Sequence, residues 1–101
     1  MIIYNITVKA DHSIAAGWLS WLKDEYIPAI INTGCFTHAT IFHLFEVSDE
    51  EGLTYAIQFH APDESSYNHY SNKFAEQMMK KANDKWGDKI IAFPTVMTAV
   101  N

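Results

Sequence analysis

The chain reads as an α+β domain in the order strand, helix, strand, strand, helix, strand, with a four-stranded antiparallel sheet and two helices on one of its faces. Three observations predict this. Apolar and polar residues alternate along Met1–Lys9 and Leu53–His60, as half-buried strands require, and Lys89–Val100 closes the chain as a strand with apolar residues in both parities, Ile91, Phe93 and Met97 against Ile90 and Val96. Ser13–Thr33 and Asp63–Lys85 instead carry apolar residues at helical steps. The elements fill the 101 residues almost without remainder, so a single domain over residues 1–101 accounts for the chain.

The first strand sets Tyr4, Ile6 and Val8 against Asn5, Thr7 and Lys9, one apolar face and one polar. Asp11-His12-Ser13 offers capping oxygens before the first helix. Ile14, Trp18, Leu22, Tyr26 and Ile30 then form its apolar stripe, widened by Leu19 and Ile27. Pro28 has no N–H for the carbonyl of Asp24, which predicts a kink or break there. Gly34 supplies the left-handed residue that ends the helix.

Phe36–Glu46 is the second strand, with large apolar residues in both parities, and Ser48-Asp49-Glu50-Glu51-Gly52 is an acidic hairpin turn. The third strand alternates cleanly: Leu53, Tyr55, Ile57 and Phe59 against Thr54, Ala56, Gln58 and His60. Pro62 and Asp63 open the second helix, whose stripe is Tyr67, Tyr70, Phe74, Met78 and Ala82, with an end expected before Gly87. In the last strand Ile91, Phe93, Thr95 and Met97 share one parity, and Pro94 marks an edge because it cannot donate to a ladder. The result is the ferredoxin-like split βαβ arrangement with strand order 4-1-3-2. Trp18, Leu22, Tyr67, Phe74, Met78, Ile6, Ile57 and Phe59 are its expected core.

Composition narrows the function. The formal charge is −5 and the chain contains no Arg, so it lacks the cationic surface that nucleic acid requires. The Lys80, Lys81, Lys85 and Lys89 cluster sits where it complements a helix C-terminus. Apolar stretches fall far short of the ~20 residues of a membrane span. No signal peptide is visible, and the single Cys35 has no disulfide partner within the chain, so the expected compartment is the cytoplasm.

Met1–Val8, Trp18-Leu19-Ser20-Trp21-Leu22, Tyr26-Ile27-Pro28, Thr54–Phe59 and Gly87–Phe93 together resemble a family of small bacterial proteins classed as a domain of unknown function. At the level of fold the chain also resembles the dimeric α/β barrel proteins. These include antibiotic-biosynthesis-type monooxygenases, stress-response dimers and haem-degrading enzymes. The resemblance implies a homodimer with sheets pressed together and helices outside. The haem-degrading branch has an Asn on the first strand, a Trp on the third and a His on the second helix. Asn5 and His69 lie on comparable elements here, but the third strand has Phe59 and His60 in place of the Trp.

The remaining candidates are weighed on chemistry. His38, His43 and His60 lie on the paired middle strands, and His38 can approach His60, with the face of His38 and His43 depending on register. No HxH, HxxxH or CxxC spacing completes a metal site. Asp49, Glu50 and Glu51 read as a solvated turn. Asn5, Thr7, Thr54, Gln58 and His60 share one parity of the two central strands, and such a set forms a polar outer face, a contact between sheets or a ligand pocket. The leading expectation is a cytoplasmic homodimer acting as a non-enzymatic binding or accessory module, with a possible small-molecule ligand and no cofactor. The alternative is a cofactor-independent monooxygenase-like enzyme acting on a small hydrophobic substrate between sheet and helices. Elemental analysis after gentle purification is expected to find no stoichiometric transition metal; a near-unity zinc or iron ratio held through His38 and His60 would overturn this.

Overall fold

The computed structural model describes residues 1–45 and 47–100, so Glu46, the expected last residue of the second strand, lies outside the described residues. β1 (Ile2–Ala10) is central and pairs antiparallel with β3 (Leu53–Ala61) on one side and β4 (Ile90–Thr98) on the other. β2 (His38–His43) pairs with the outer edge of β3, giving the order β2-β3-β1-β4. This is the expected order read from the other edge. β4 is an edge strand, and Pro94 faces Ile6 across the ladder. In the turn before β3, Gly52 has φ +152°, and a Cβ there would collide with the carbonyl of Ala10.

The first helical segment differs from one continuous helix over Ser13–Thr33. Asp11 accepts hydrogen bonds from the Ser13 N–H (2.9 Å) and hydroxyl (2.6 Å), closing a turn, and α1 begins afterwards at Ala15 and runs to Trp21. Leu22–Tyr26 forms a π-helical turn in which the Ile27 N–H donates to Leu22, five residues back. α2 (Ile27–Ile31) follows directly. The helix thus absorbs Pro28 by widening one turn rather than breaking, since the missing N–H leaves the preceding carbonyls free to re-register. Gly34, at φ +79°, takes the left-handed conformation after the helix.

The second helical segment begins as expected: Asp63 accepts the Ser66 N–H at 2.7 Å and starts α3 (Glu64–Lys73). It is interrupted at Phe74 (φ −126°, ψ −28°) and resumes as α4 (Ala75–Trp86). Backbone hydrogen bonds from Phe74 to Tyr70 (2.8 Å) and from Met78 to Phe74 (3.0 Å) bridge the irregularity.

The core lies between these helices and the sheet. Trp18, Ile30, Ile57, Phe59 and Tyr70 are its most completely buried large side chains. Tyr4 is the hub of an aromatic cluster, with ring centres 5.5 Å from Tyr70, 5.8 Å from Tyr67 and 6.0 Å from Phe36. Phe36 lies before β2 rather than within it, which lets the chain turn its ring under the helices against Phe59 and Tyr70. Cys35 beside it is buried as well.

Of the expected core, Trp18, Leu22, Ile57 and Phe59 are buried, while Ile6, Tyr67, Phe74 and Met78 are half-buried against it. Phe74 is shallower because it sits at the helical irregularity. Phe59→Ala is expected to lower unfolding free energy by about 3–5 kcal/mol, and Phe74→Ala by roughly half of that. Urea denaturation measures both, and equal losses would show that Phe74 packs deeper than its exposure indicates.

Candidate functional site

The strand alternation divides the sheet into two surfaces of different chemistry. Toward the helices point Tyr4, Ile6 and Val8 of β1 with Ile57 and Phe59 of β3. Asn5, Thr7, Thr54, Gln58 and His60 all share the opposite, open face, as their common parity required. Asn5 stands directly across from Gln58 on β3 and Thr95 on β4, and Gln58 across from Thr40 on β2. Thr40, Gln58, Asn5 and Thr95 therefore form one uncharged polar row perpendicular to the strands. Thr40 and Thr95 were not singled out from sequence, although Thr95 was legible once its parity was joined to the antiparallel register. Thr40 was hidden by the apolar residues in both parities of β2.

Phe42, Ala56, Thr7 and Phe93 flank this row on one side. His38, His60, Ile3 and Met97 flank it on the other. Phe93, Ile91 and Phe42 are exposed. Asn5 is only 7% exposed; its Nδ2 donates to Thr7 Oγ1 at 3.0 Å, while its Oδ1 is sealed from solvent without a partner. Such an acceptor is unusual in a folded chain and costly to leave unmet.

His38 and His60 do meet, their rings stacked 4.0 Å apart at 13°. The Thr37 hydroxyl links the pair, lying 3.2 Å from the His60 carbonyl, to which it can donate, and 2.9 Å from His38 Nδ1. Burial, and then the neighbouring His38, holds the His60 imidazole below its ordinary pKa. His43 points to the opposite face, with its ring 5.3 Å from Tyr55 and its Nε2 3.9 Å from Asp49. Among the described residues, no three His, Cys, Asp or Glu side chains come together as a metal site. Asn5 and His69 are not brought together either: His69 is exposed on α3, edge-on to Phe74, whereas Asn5 is on the far side of the sheet.

On the helix side lies a cavity of about 140 Å³. Trp18, Trp21, Leu22 and Tyr26 form its roof and Tyr4, Ile6, Val8 and Ile57 its floor. Met79 and Asn83 of α4 and Ala92 and Pro94 of β4 form an exposed rim. Trp21 stacks on Tyr26 at 4.7 Å and meets Trp86 edge-on at 5.8 Å. The Tyr26 hydroxyl is already committed, donating to the Met78 carbonyl at 3.0 Å. Burial pushes the Tyr4 and Tyr26 phenols above their ordinary range, so both stay neutral near pH 7. The wall thus offers aromatic faces and no ionised group. Trp21, Met79 and Asn83 were not expected here, because they become neighbours only when α4 packs beside α1.

A family model described as a domain of unknown function (DUF4286) matches residues 1–100, and the chain belongs to that family. No curated protein matches the sequence. Solved structures share the fold at low identity. A Deinococcus radiodurans protein classed with the antibiotic biosynthesis monooxygenases is 14% identical, with TM-score 0.68 over 100% of this chain and 94% of its own. SnoaB, a cofactor-independent oxygenase from Streptomyces nogalater, is 12% identical, with TM-score 0.66 over 99% and 94%. A Bacillus halodurans protein of the ethyl tert-butyl ether d (ethd) family is 9% identical, with TM-score 0.69 over 99% and 100%. The chain has the ferredoxin-like fold of these proteins. None of its described helices is long and apolar enough to cross a membrane.

The lowered pKa of His60 means that the fold favours neutral imidazole. Its contribution to stability is present above the ordinary value of 6.5 and is lost as pH falls through the lower folded-state value. NMR titration is expected to place the His60 midpoint below 6.5, and His38→Gln to move it upward. A His60 midpoint at or above 6.5 would contradict the stacked pair.

Proposed function

We propose that this protein is a homodimeric binding module that holds a small, uncharged, single-ring aromatic or similarly compact apolar ligand between sheet and helices. The observation that carries the reading is the cavity: about 140 Å³, walled by Trp18, Trp21 and Tyr26 and without an ionised group. An apolar cavity of ~150 Å³ is large enough for benzene. Aromatic walls give such a ligand stacking and edge contacts, and Asn83 at the rim can orient one polar substituent.

The dimer is supported by the other face. Phe42, Ile91 and Phe93 are exposed on the same face as half-buried Ile3 and Met97, and large apolar side chains gathered on one open face mark a contact surface. A two-fold contact between open faces covers these residues in one self-complementary step. The expected compartment is the cytoplasm, where Cys35 stays a buried thiol.

A second reading, a monooxygenase-like enzyme using the same cavity, is favoured by the fold shared with SnoaB. Its difficulty is chemical. Reaction with dioxygen without a cofactor needs an electron-rich, usually deprotonated substrate, and the neutral phenols of Tyr4 and Tyr26 are poor bases near pH 7.

Because Trp18 and Trp21 line the cavity, ligand entry is expected to change tryptophan fluorescence saturably when toluene or phenol is titrated. Ala82→Phe, which projects a ring into the space, is expected to abolish the change while leaving the circular dichroism intact. Unsaturable quenching that is the same in both proteins would refute the binding site. Oxygen uptake with an electron-rich phenol would favour the enzymatic reading instead. Light scattering across a dilution series is expected to give the dimer mass, and Phe93→Asp the monomer mass. A wild-type monomer persisting at tens of micromolar would overturn the pairing.

A further inference from the structure

We infer that the row Thr40–Gln58–Asn5–Thr95 is the register-setting seam of the contact with a second copy of this chain, an inference that rests on the homodimer proposed above. The four residues are aligned across all four strands by the observed pairing. Larger apolar groups stand on both sides: Phe42 and Phe93 one step along the strands, Ile3 and Met97 one step the other way. The face is therefore not a uniform apolar patch. It carries a single polar line through its middle.

That line restricts how two copies can meet. A two-fold axis running along the row lays each residue on its own copy. An axis along the strands between β3 and β1 lays Gln58 on Asn5 and Thr40 on Thr95. Both place amide and hydroxyl groups opposite amide and hydroxyl groups. Sliding one sheet by two residues, about 7 Å, would press the hydroxyls of Thr40 and Thr95 onto Phe42 and Phe93 with Gln58 or Asn5 on Ala56, or would press Thr95 or Thr40 onto Met97 with Asn5 or Gln58 on Ile3. Hydroxyls and amides buried against these apolar groups lose water without gaining a partner.

Asn5 is the centre of the seam. Its Oδ1 is already closed to solvent and unpartnered, and one of its two Nδ2 hydrogens is donated to Thr7. The adjacent Gln58 amide can turn toward it and hand its own acceptor to a donor from the second copy. Removal of water from Gln58 by the opposing sheet favours that exchange.

A second copy suits the surface better than another class of partner. The four strands contain no Asp or Glu, although the chain as a whole carries −5, so two copies can approach here without carboxylate repulsion. From strand length and spacing the face covers roughly 500 Å². A pair then buries about 1,000 Å², the lower limit for a specific contact.

The test compares wild type, Asn5→Asp, Asn5→Leu and Phe93→Asp by sedimentation equilibrium at pH 8 and 4.5, with circular dichroism reporting the fold. Asn5→Asp is expected to remain folded and to self-associate on the order of 100-fold more weakly than wild type at pH 8, because two carboxylates enter the seam. The deficit is expected to shrink to within about tenfold at pH 4.5, because a carboxyl buried opposite a second one is held above the ordinary Asp value of about 3.9 and so takes up a proton in the seam, where it mimics the amide. Asn5→Leu is expected to keep the dimer mass but broaden the distance between spin labels placed at Glu76→Cys in a Cys35→Ala background. Should Asn5→Asp unfold, Gln58→Glu at the half-buried neighbouring position carries the same comparison. If these acidic variants associate like wild type at pH 8 while Phe93→Asp is monomeric, the dimer stands and the seam is wrong. An unchanged label distance in Asn5→Leu also counts against the seam. A monomeric wild type removes the dimer and the seam together.

Discussion

β1 is hydrogen-bonded along its whole length on both sides, and that pairing decides where nearly every other side chain goes. Once Tyr4 and Val8 turn toward the helices, Asn5 and Thr7 must turn away, and β3 and β4 inherit the same division through the register. A slip of one residue would put Asn5 and Gln58 into the aromatic core and Tyr4 and Phe59 into solvent. The aromatic cluster around Tyr4 opposes that slip, because it fixes β1 against α3 and the segment before β2 at once.

The two faces then acquire different capacities from the same strands. Under the helices, bulky rings leave a cavity instead of closing it, since Trp18, Trp21 and Tyr26 are held by their helix and α4 meets β4 only at the rim. The π-helical turn at Leu22–Tyr26 contributes directly: widening the helix there places Leu22 and Tyr26 on the cavity wall. On the open face, short polar side chains line up across the sheet while aromatics and Met97 stand at the margins. A neutral, aromatic-walled hollow suits binding, and a banded face suits a partner with the same bands.

These two surfaces share β1, and the floor of the cavity is the back of the contact face. Ile6 beneath the cavity lies between Asn5 and Thr7 in sequence. Any change in strand twist on pairing therefore alters the cavity floor, which gives the proposed ligand and the proposed second copy a common physical element.

The order of elements along the chain, the edge character of Pro94, the Asp63 cap and the shared face of Asn5, Thr7, Thr54, Gln58 and His60 were determined by the sequence itself. Each depends on local sterics, on a capping oxygen or on the two-residue period of a strand, and these are written in neighbouring residues. Only the tertiary structure decided that His38 stacks on His60 while His43 faces away, because β2 carries apolar residues in both parities and its register is set by β3. It alone decided that Pro28 widens the helix instead of breaking it, since packing of the stripe on both sides of the proline rewards continuity. The cavity likewise depends on how α4 settles beside α1 and β4, a matter of distance between helices that no single segment encodes. Thr40 and Thr95 join Asn5 and Gln58 for the same reason: the row exists across four strands, and hydrogen-bond register, not sequence proximity, brings its members together.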